Sequence, residues 1–285
     1  MDTIATTFST TDMEYVRHGG RSLALTLYRP ASPGPHPVVV DLHGGAWCIG
    51  ERAECRVRDE TIVAEGVAVA AIDFRQGEDA YPSSLADANY AVRWLKANAK
   101  DLGLEPARVG LCGQSSGGHL AMLAAMRPDD PRYAAIPLPA GSPAVDASVR
   151  CVGMMWPVIN PLSRYRNILR AKTLDPVPGW VADLKERHDL FWKTEAAMAE
   201  GNPVLALEGG ERVEMPPAMW VQGRPDPVHD YRDPDRASGP NEPERFAAAY
   251  RKAGGAIELV TFDQALRGQP GPYANLARFF RAQFG

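Results

Sequence analysis

Hydrophobic positions along the chain recur with two periods. Leu23-Ala-Leu-Thr-Leu-Tyr28 alternates and then meets Pro30, which predicts an antiparallel strand at a sheet edge. Val38-Val-Val-Asp-Leu42 and Val67-Ala-Val-Ala-Ala-Ile72 are near-continuous apolar runs, the pattern of parallel strands covered on both faces. Arg108–Cys112, Val149–Val158, Pro217–Gln222 and Ile257–Phe262 predict further strands. Between them, residues 52–65, Ser84–Lys100, His119–Met126, Glu244–Ala253 and Tyr273–Phe284 predict helices. In the second of these, Leu85, Ala88, Ala91, Val92 and Leu95 share one helical face. The alternation predicts the α/β class, with a doubly wound, mostly parallel sheet and right-handed crossovers. From Ile159 to Glu211 no strand pattern is present, and Trp180–Leu190 and Phe191–Glu200 look helical. The expected organisation is a single domain over 1–285 with a small helical cap insertion at about 159–211.

Composition narrows the function classes. Of 285 residues, 45% are hydrophobic and 23% charged, so the chain is neither disordered nor fibrous. The net charge of −4 supplies no basic field for nucleic acid or an anionic membrane surface. Cys48, Cys55, Cys112 and Cys151 form no CxxC pair, which argues against a zinc ribbon or a disulfide framework and fits a reducing compartment. The first residues, MDTIATTFSTTDMEYV, lack the basic start and apolar block of a secretory leader. A cytoplasmic location is expected, with no membrane span, no metal and no cofactor.

Two short motifs carry chemistry. Gly113-Gln114-Ser115-Ser116-Gly117 follows a predicted strand and opens a predicted helix. A G-x-S-x-G there makes a nucleophile elbow, with the serine Oγ raised above the sheet and the helix N-terminus favouring negative charge. His43-Gly44-Gly45-Ala46-Trp47 follows the strand Val38–Leu42, and its glycine amides can face an oxyanion together with the Ser116 N–H. His43 is expected to buttress that loop by hydrogen bonds rather than act as a base. Trp47, Gln114 and Trp156 are the expected substrate-pocket residues.

With Asp73-Phe-Arg75 and Tyr81-Pro82 between these motifs, the chain resembles the α/β-hydrolase superfamily. The branch it resembles is that of hormone-sensitive-lipase and kynurenine-formamidase-type serine esterases. The resemblance runs over about residues 20–285 and implies a Ser-Asp-His triad in that chain order. Carried over, it makes Ser115 the nucleophile and Gly44, Gly45 and Ser116 the oxyanion hole. In Trp220-Val-Gln-Gly223-Arg-Pro-Asp226, the G-x-x-D pattern makes Asp226 the acid.

The family base follows the last strand, where this chain reads Asp263-Gln-Ala-Leu-Arg267-Gly268-Gln269-Pro270, without a histidine. By strand offset the vacant base position is Arg267, or Gln269 if the loop is two residues longer. His229, three residues past Asp226, is an alternative base if its loop folds inward. His119 is expected to be a packing residue and His188 a surface residue of the cap. Arg164, Arg166 and Arg170 could bind a carboxylate, although a solvated helix face is the plainer reading.

The expected function is a serine hydrolase of a small carboxylic ester or amide working through an acyl-enzyme, impaired or disarmed at its base position. The alternative is a non-catalytic small-ligand-binding protein on a hydrolase scaffold, as in the plant gibberellin receptors that this branch resembles. Tryptophans around the expected site and cap suggest an apolar or aromatic small-molecule substrate, and a homodimer is left open.

Overall fold

The computed structural model describes residues 8–236 and 238–285. The reading of a missing leader falls in part on residues 1–7, which lie outside that range. In chain order the elements are β1 (Phe8–His18), β2 (Arg21–Pro30), β3 (His36–Leu42), α1 (Arg56–Val63), β4 (Ala68–Ile72), α2 (Ser83–Ala97) and α3 (Ala99–Leu102). They continue with β5 (Leu104–Gln114), α4 (Ser116–Met126), β6 (Val152–Met155), α5 (Pro161–Ala171), α6 (Leu184–Trp192), α7 (Glu195–Glu200) and α8 (Pro203–Glu208). The last are β7 (Ala218–Arg224), α9 (Glu242–Lys252), β8 (Ile257–Asp263) and α10 (Pro270–Phe284).

The strands form one sheet in the order β1-β2-β4-β3-β5-β6-β7-β8. β1 and β2 are antiparallel to their neighbours, and all pairings from β4 to β8 are parallel. Side chains alternate between faces as the strand period requires. Val38, Val40 and Leu42 of β3 pack with α2 and α4, while Val39 packs with α1 and α10. The apolar stripe Leu85, Ala88, Ala91, Val92 and Leu95 of α2 is buried against the first of these faces.

Two sequence expectations change. The strand at Leu23–Tyr28 is not an edge. β1, polar and mostly exposed, pairs along its whole length and takes the outer place, covering Leu23, Leu25 and Leu27. The stretch after β6 holds four helices, of which α5 and α8 were not expected. Each starts with an Asn-Pro pair. The Asn160 side chain accepts from Ser163 N–H, Asn202 accepts from Val204 and Leu205 N–H, and the proline takes the first helical position. That capping signal is local and legible in the sequence. Among the described residues no helix is long and apolar enough to cross a membrane.

Candidate active site

The carboxyl ends of the parallel strands converge on Ser115. Its backbone has φ +52° and ψ −121° at the turn from β5 into α4. Ser115 N–H donates to Met155 O at 2.9 Å, and Val158 N–H donates back to Ser115 O at 3.0 Å, so β6 holds the turn from the side. Such backbone is tolerated only where neighbours over-determine it. The tightness explains Gly117: a Cβ there would stand 2.2 Å from Leu42 O.

Ser115 Oγ lies 3.0 Å from His229 Nε2, and His229 Nδ1 lies 2.8 Å from Asp226 Oδ2. Both ring nitrogens are therefore used, and the chemistry of the partners assigns the tautomer. Asp226 Oδ1 already accepts from Val228 and His229 N–H, at 3.0 and 3.2 Å. Burial works to raise the Asp226 carboxyl, but the His229 bond, with Arg267 and the Val228 amide behind it, holds it below its usual value. It is a carboxylate and can only accept, so His229 Nδ1 donates and Nε2 is left to accept the Ser115 hydroxyl. Burial pushes the His229 imidazole down to about 4 against the pull of Asp226, which keeps the ring neutral at pH 7.

The place beside Ser115 that was expected to lack a histidine is thus filled by His229, from the loop after β7. Neither residue of the expected vacant position reaches it. Gln269 is exposed at the N-cap of α10. The Arg267 guanidinium lies over the Trp156 ring, 4.3 Å from its centroid, and 3.7 Å from Asp226 Oδ2. The loop after β7 turns inward because Asp230 N–H closes on Asp226 O at 2.8 Å. Arg224 and Asn241 then hold the Asp230 carboxylate.

Comparison with known proteins agrees with this fold. The BD-FAE family model matches residues 25–148. Esterase LipC of Mycobacterium tuberculosis is 35% identical over 122 residues, which are 42% of this chain and 30% of that protein. The chain therefore spans about a third of the length of such curated relatives. Among solved structures, carboxyl esterase 2 of the fungus Tuber melanosporum superposes with a TM-score of 0.73. The match covers 99% of this chain and 89% of that one at 20% identity. Thermogutta terrifontis esterase 2 superposes with a TM-score of 0.68 at 25% identity, covering 97% and 95%. The chain has the α/β-hydrolase fold, and its first half is similar to the BD-FAE family and to proteins named esterases.

Other parts of the site follow from close packing. A Cβ on Gly44 would come within 3.3 Å of Ser115 Cβ, so the glycine loop lies against the serine. Gly45 has φ +106°, and a Cβ there would meet Ile49 O at 1.8 Å. Among the described residues neither the Gly44 nor the Gly45 N–H donates to another backbone group. His43 stacks on Phe74 with ring centroids 4.2 Å apart and bonds Gly44 O through Nδ1 at 2.8 Å, a loop buttress as its sequence position suggested.

The expected pocket residues are placed differently. Trp47 is 1% exposed; it donates to His119 Nδ1 at 3.2 Å and packs with Phe191 and Trp192 of α6. Trp156 is equally buried, among Phe262, Tyr273 and Arg267. Both are closed into the interior because α6 folds over Trp47 and the segment after β8 over Trp156. Gln114 accepts from Arg58 Nη1 at 2.8 Å, and Arg58 also grips the buried Asp41. Next to them burial, reinforced by Asp41, pushes the Asp59 carboxyl well up. Sequence reasoning missed Arg58: one arginine in a polar helix carries no sign that it lies beneath the elbow. His188, expected on the cap surface, is fully buried between Trp47 and Tyr165, because α6 turns that face onto the domain.

Proposed function

We propose that the chain hydrolyses small carboxylic esters through an acyl-enzyme on Ser115. The observation that carries this reading is the unbroken run of hydrogen bonds from Ser115 Oγ through His229 to Asp226, at 3.0 and 2.8 Å. In this scheme Ser115 Oγ attacks the carbonyl carbon while its proton passes to His229 Nε2. The Gly44, Gly45 and Ser116 amides receive the developing oxyanion. As the tetrahedral intermediate collapses, His229 returns the proton to the departing alkoxide. A water activated by the same nitrogen then attacks the acyl-enzyme, and the acid leaves. Asp226 keeps the imidazole in its Nδ1–H form and stabilises the imidazolium. Arg267 and Gln269 have no proton-transfer role, so the chain is not disarmed. That the matched relatives are named esterases supports the ester class.

Fluorophosphonate labelling followed by mass spectrometry tests the reading. One adduct on Ser115 is expected, none in S115A, together with hydrolysis of p-nitrophenyl butyrate that S115A loses. A folded native chain that neither labels nor turns over the ester would overturn the proposal and favour the ligand-binding alternative.

A further inference from the structure

Three arginines are almost completely buried, and two are paired. Arg58 holds Asp41, and Arg245 holds Glu208, Asp233 and Glu242. Arg164, 2% exposed, differs: its Nε and Nη1 have no hydrogen-bond partner, and among the described residues no carboxylate lies within 4.0 Å of it. A buried cation without a partner is costly. Its position adds to the cost, because Arg164 lies in the first turn of α5, whose N-terminus is itself the positive end of the helix. Burial lowers it to about 10, so at neutral pH it still carries its charge.

The surroundings place this cation close enough to the Ser115–His229–Asp226 array for its charge to act on Asp226 and His229. α5 begins just after Val158, which bonds the Ser115 carbonyl, and its cap Asn160 lies under Tyr231 in the His229 loop. The next residue, Tyr165, packs on His188, and His188 packs on Trp47 behind the oxyanion loop. His188 donates Nδ1–H to Leu184 O and offers no negative charge. Among the described residues the carboxylate whose charge acts on it is Asp226, which is committed to His229 and two amides, with Arg267 also beside it. Two cations, Arg164 and Arg267, thus act on one occupied anion. Arg166 and Arg170, read from the sequence together with Arg164, do not share this situation: Arg166 pairs with Glu195 and Asp235, and Arg170 is exposed.

We propose that the site takes esters bearing a second, free carboxylate, which pairs with the Arg164 guanidinium while the ester carbonyl meets Ser115. This rests on the esterase reading above. The carboxylate can belong to the acyl or to the alcohol part of the ester. Two substrate pairs separate these: monomethyl against dimethyl glutarate, and 4-acetoxybenzoate against its methyl ester. The native chain is expected to prefer the anionic member of one pair in kcat/KM by about 10- to 100-fold, the range for a hydrogen bond to a charged group. R164M should abolish that ratio, and R164K should keep part of it. Turnover of the neutral esters with no anionic preference in either pair, or a ratio unchanged in R164M, overturns the proposal and leaves the esterase reading standing. Calorimetric titration with glutarate gives a readout free of turnover and covers an R164M chain that fails to fold. If the native chain does not bind glutarate, the proposal is overturned. No turnover of any ester, with glutarate binding that R164K weakens, sinks the esterase reading alone.

Discussion

Replacing His229 by alanine removes both the base and the link to Asp226 while leaving the rest of the site in place. The ring is 5% exposed and uses both nitrogens, so no water-filled substitute stands ready. Asp226 keeps two amide donors and Arg267 at 3.7 Å, so its charge is not stranded and the loop should stay folded. General-base catalysis contributes roughly 10²–10⁴-fold, or about 3–5 kcal/mol of transition-state stabilisation. H229A should therefore lose that factor in kcat on p-nitrophenyl butyrate, with a near-native melting temperature and a much slower reaction of Ser115 with fluorophosphonate. R267H and Q269H, which place a histidine where the sequence offset puts the base, should give no gain. Position 269 is exposed, and position 267 faces Trp156 and Asp226. The reasoning is refuted if H229A keeps more than about a tenth of the native rate, or if either new histidine raises kcat a hundredfold.

The base must be unprotonated to work, and burial sets His229 at about 4, so kcat/KM should rise with pH through an acid limb near 4 and be flat by pH 6; a limb at 6 to 7 would contradict the burial argument. Stability should fall on the same side. His119 and His229 at about 4 and His188 at about 3 are each depressed in the folded state, so the unfolded chain binds more protons. Their stabilisation is complete above pH 6.5 and shrinks by about 2 kcal/mol per imidazole between pH 6.5 and 5, which urea midpoints at the two values would show. R58L should cost about 3–5 kcal/mol in urea unfolding, because it strands the Asp41 carboxylate, 1% exposed, and frees Gln114 beside the nucleophile; a change below 1 kcal/mol would show that Asp41 is neutral in the fold.

What the sequence alone determined is local. The apolar runs of β3 and β4, the helical stripe of α2, and the glycines of His43–Gly45 and Gly113–Gly117 are each fixed by their own residues and immediate neighbours. Strand period, helix period and the space available beside a glycine can all be read from a few positions, and they placed Ser115 and the His43–Gly45 loop at one end of the sheet. The partner of Ser115 was not legible in that way. His229 stands 114 residues from Ser115 in the chain, in a loop without periodicity, and where its side chain points depends on a turn closed by Asp226 and braced by Arg224 and Asn241. The same limit hid Arg164. Its helix has a polar face and an apolar face, and only the packing of α5 against the His229 loop decides that this arginine, and not Arg166 or Arg170, is buried with its charge unmatched. Short-range pattern determines which elements form; which side chains meet at the ends of the strands is decided by contacts between loops far apart in the chain.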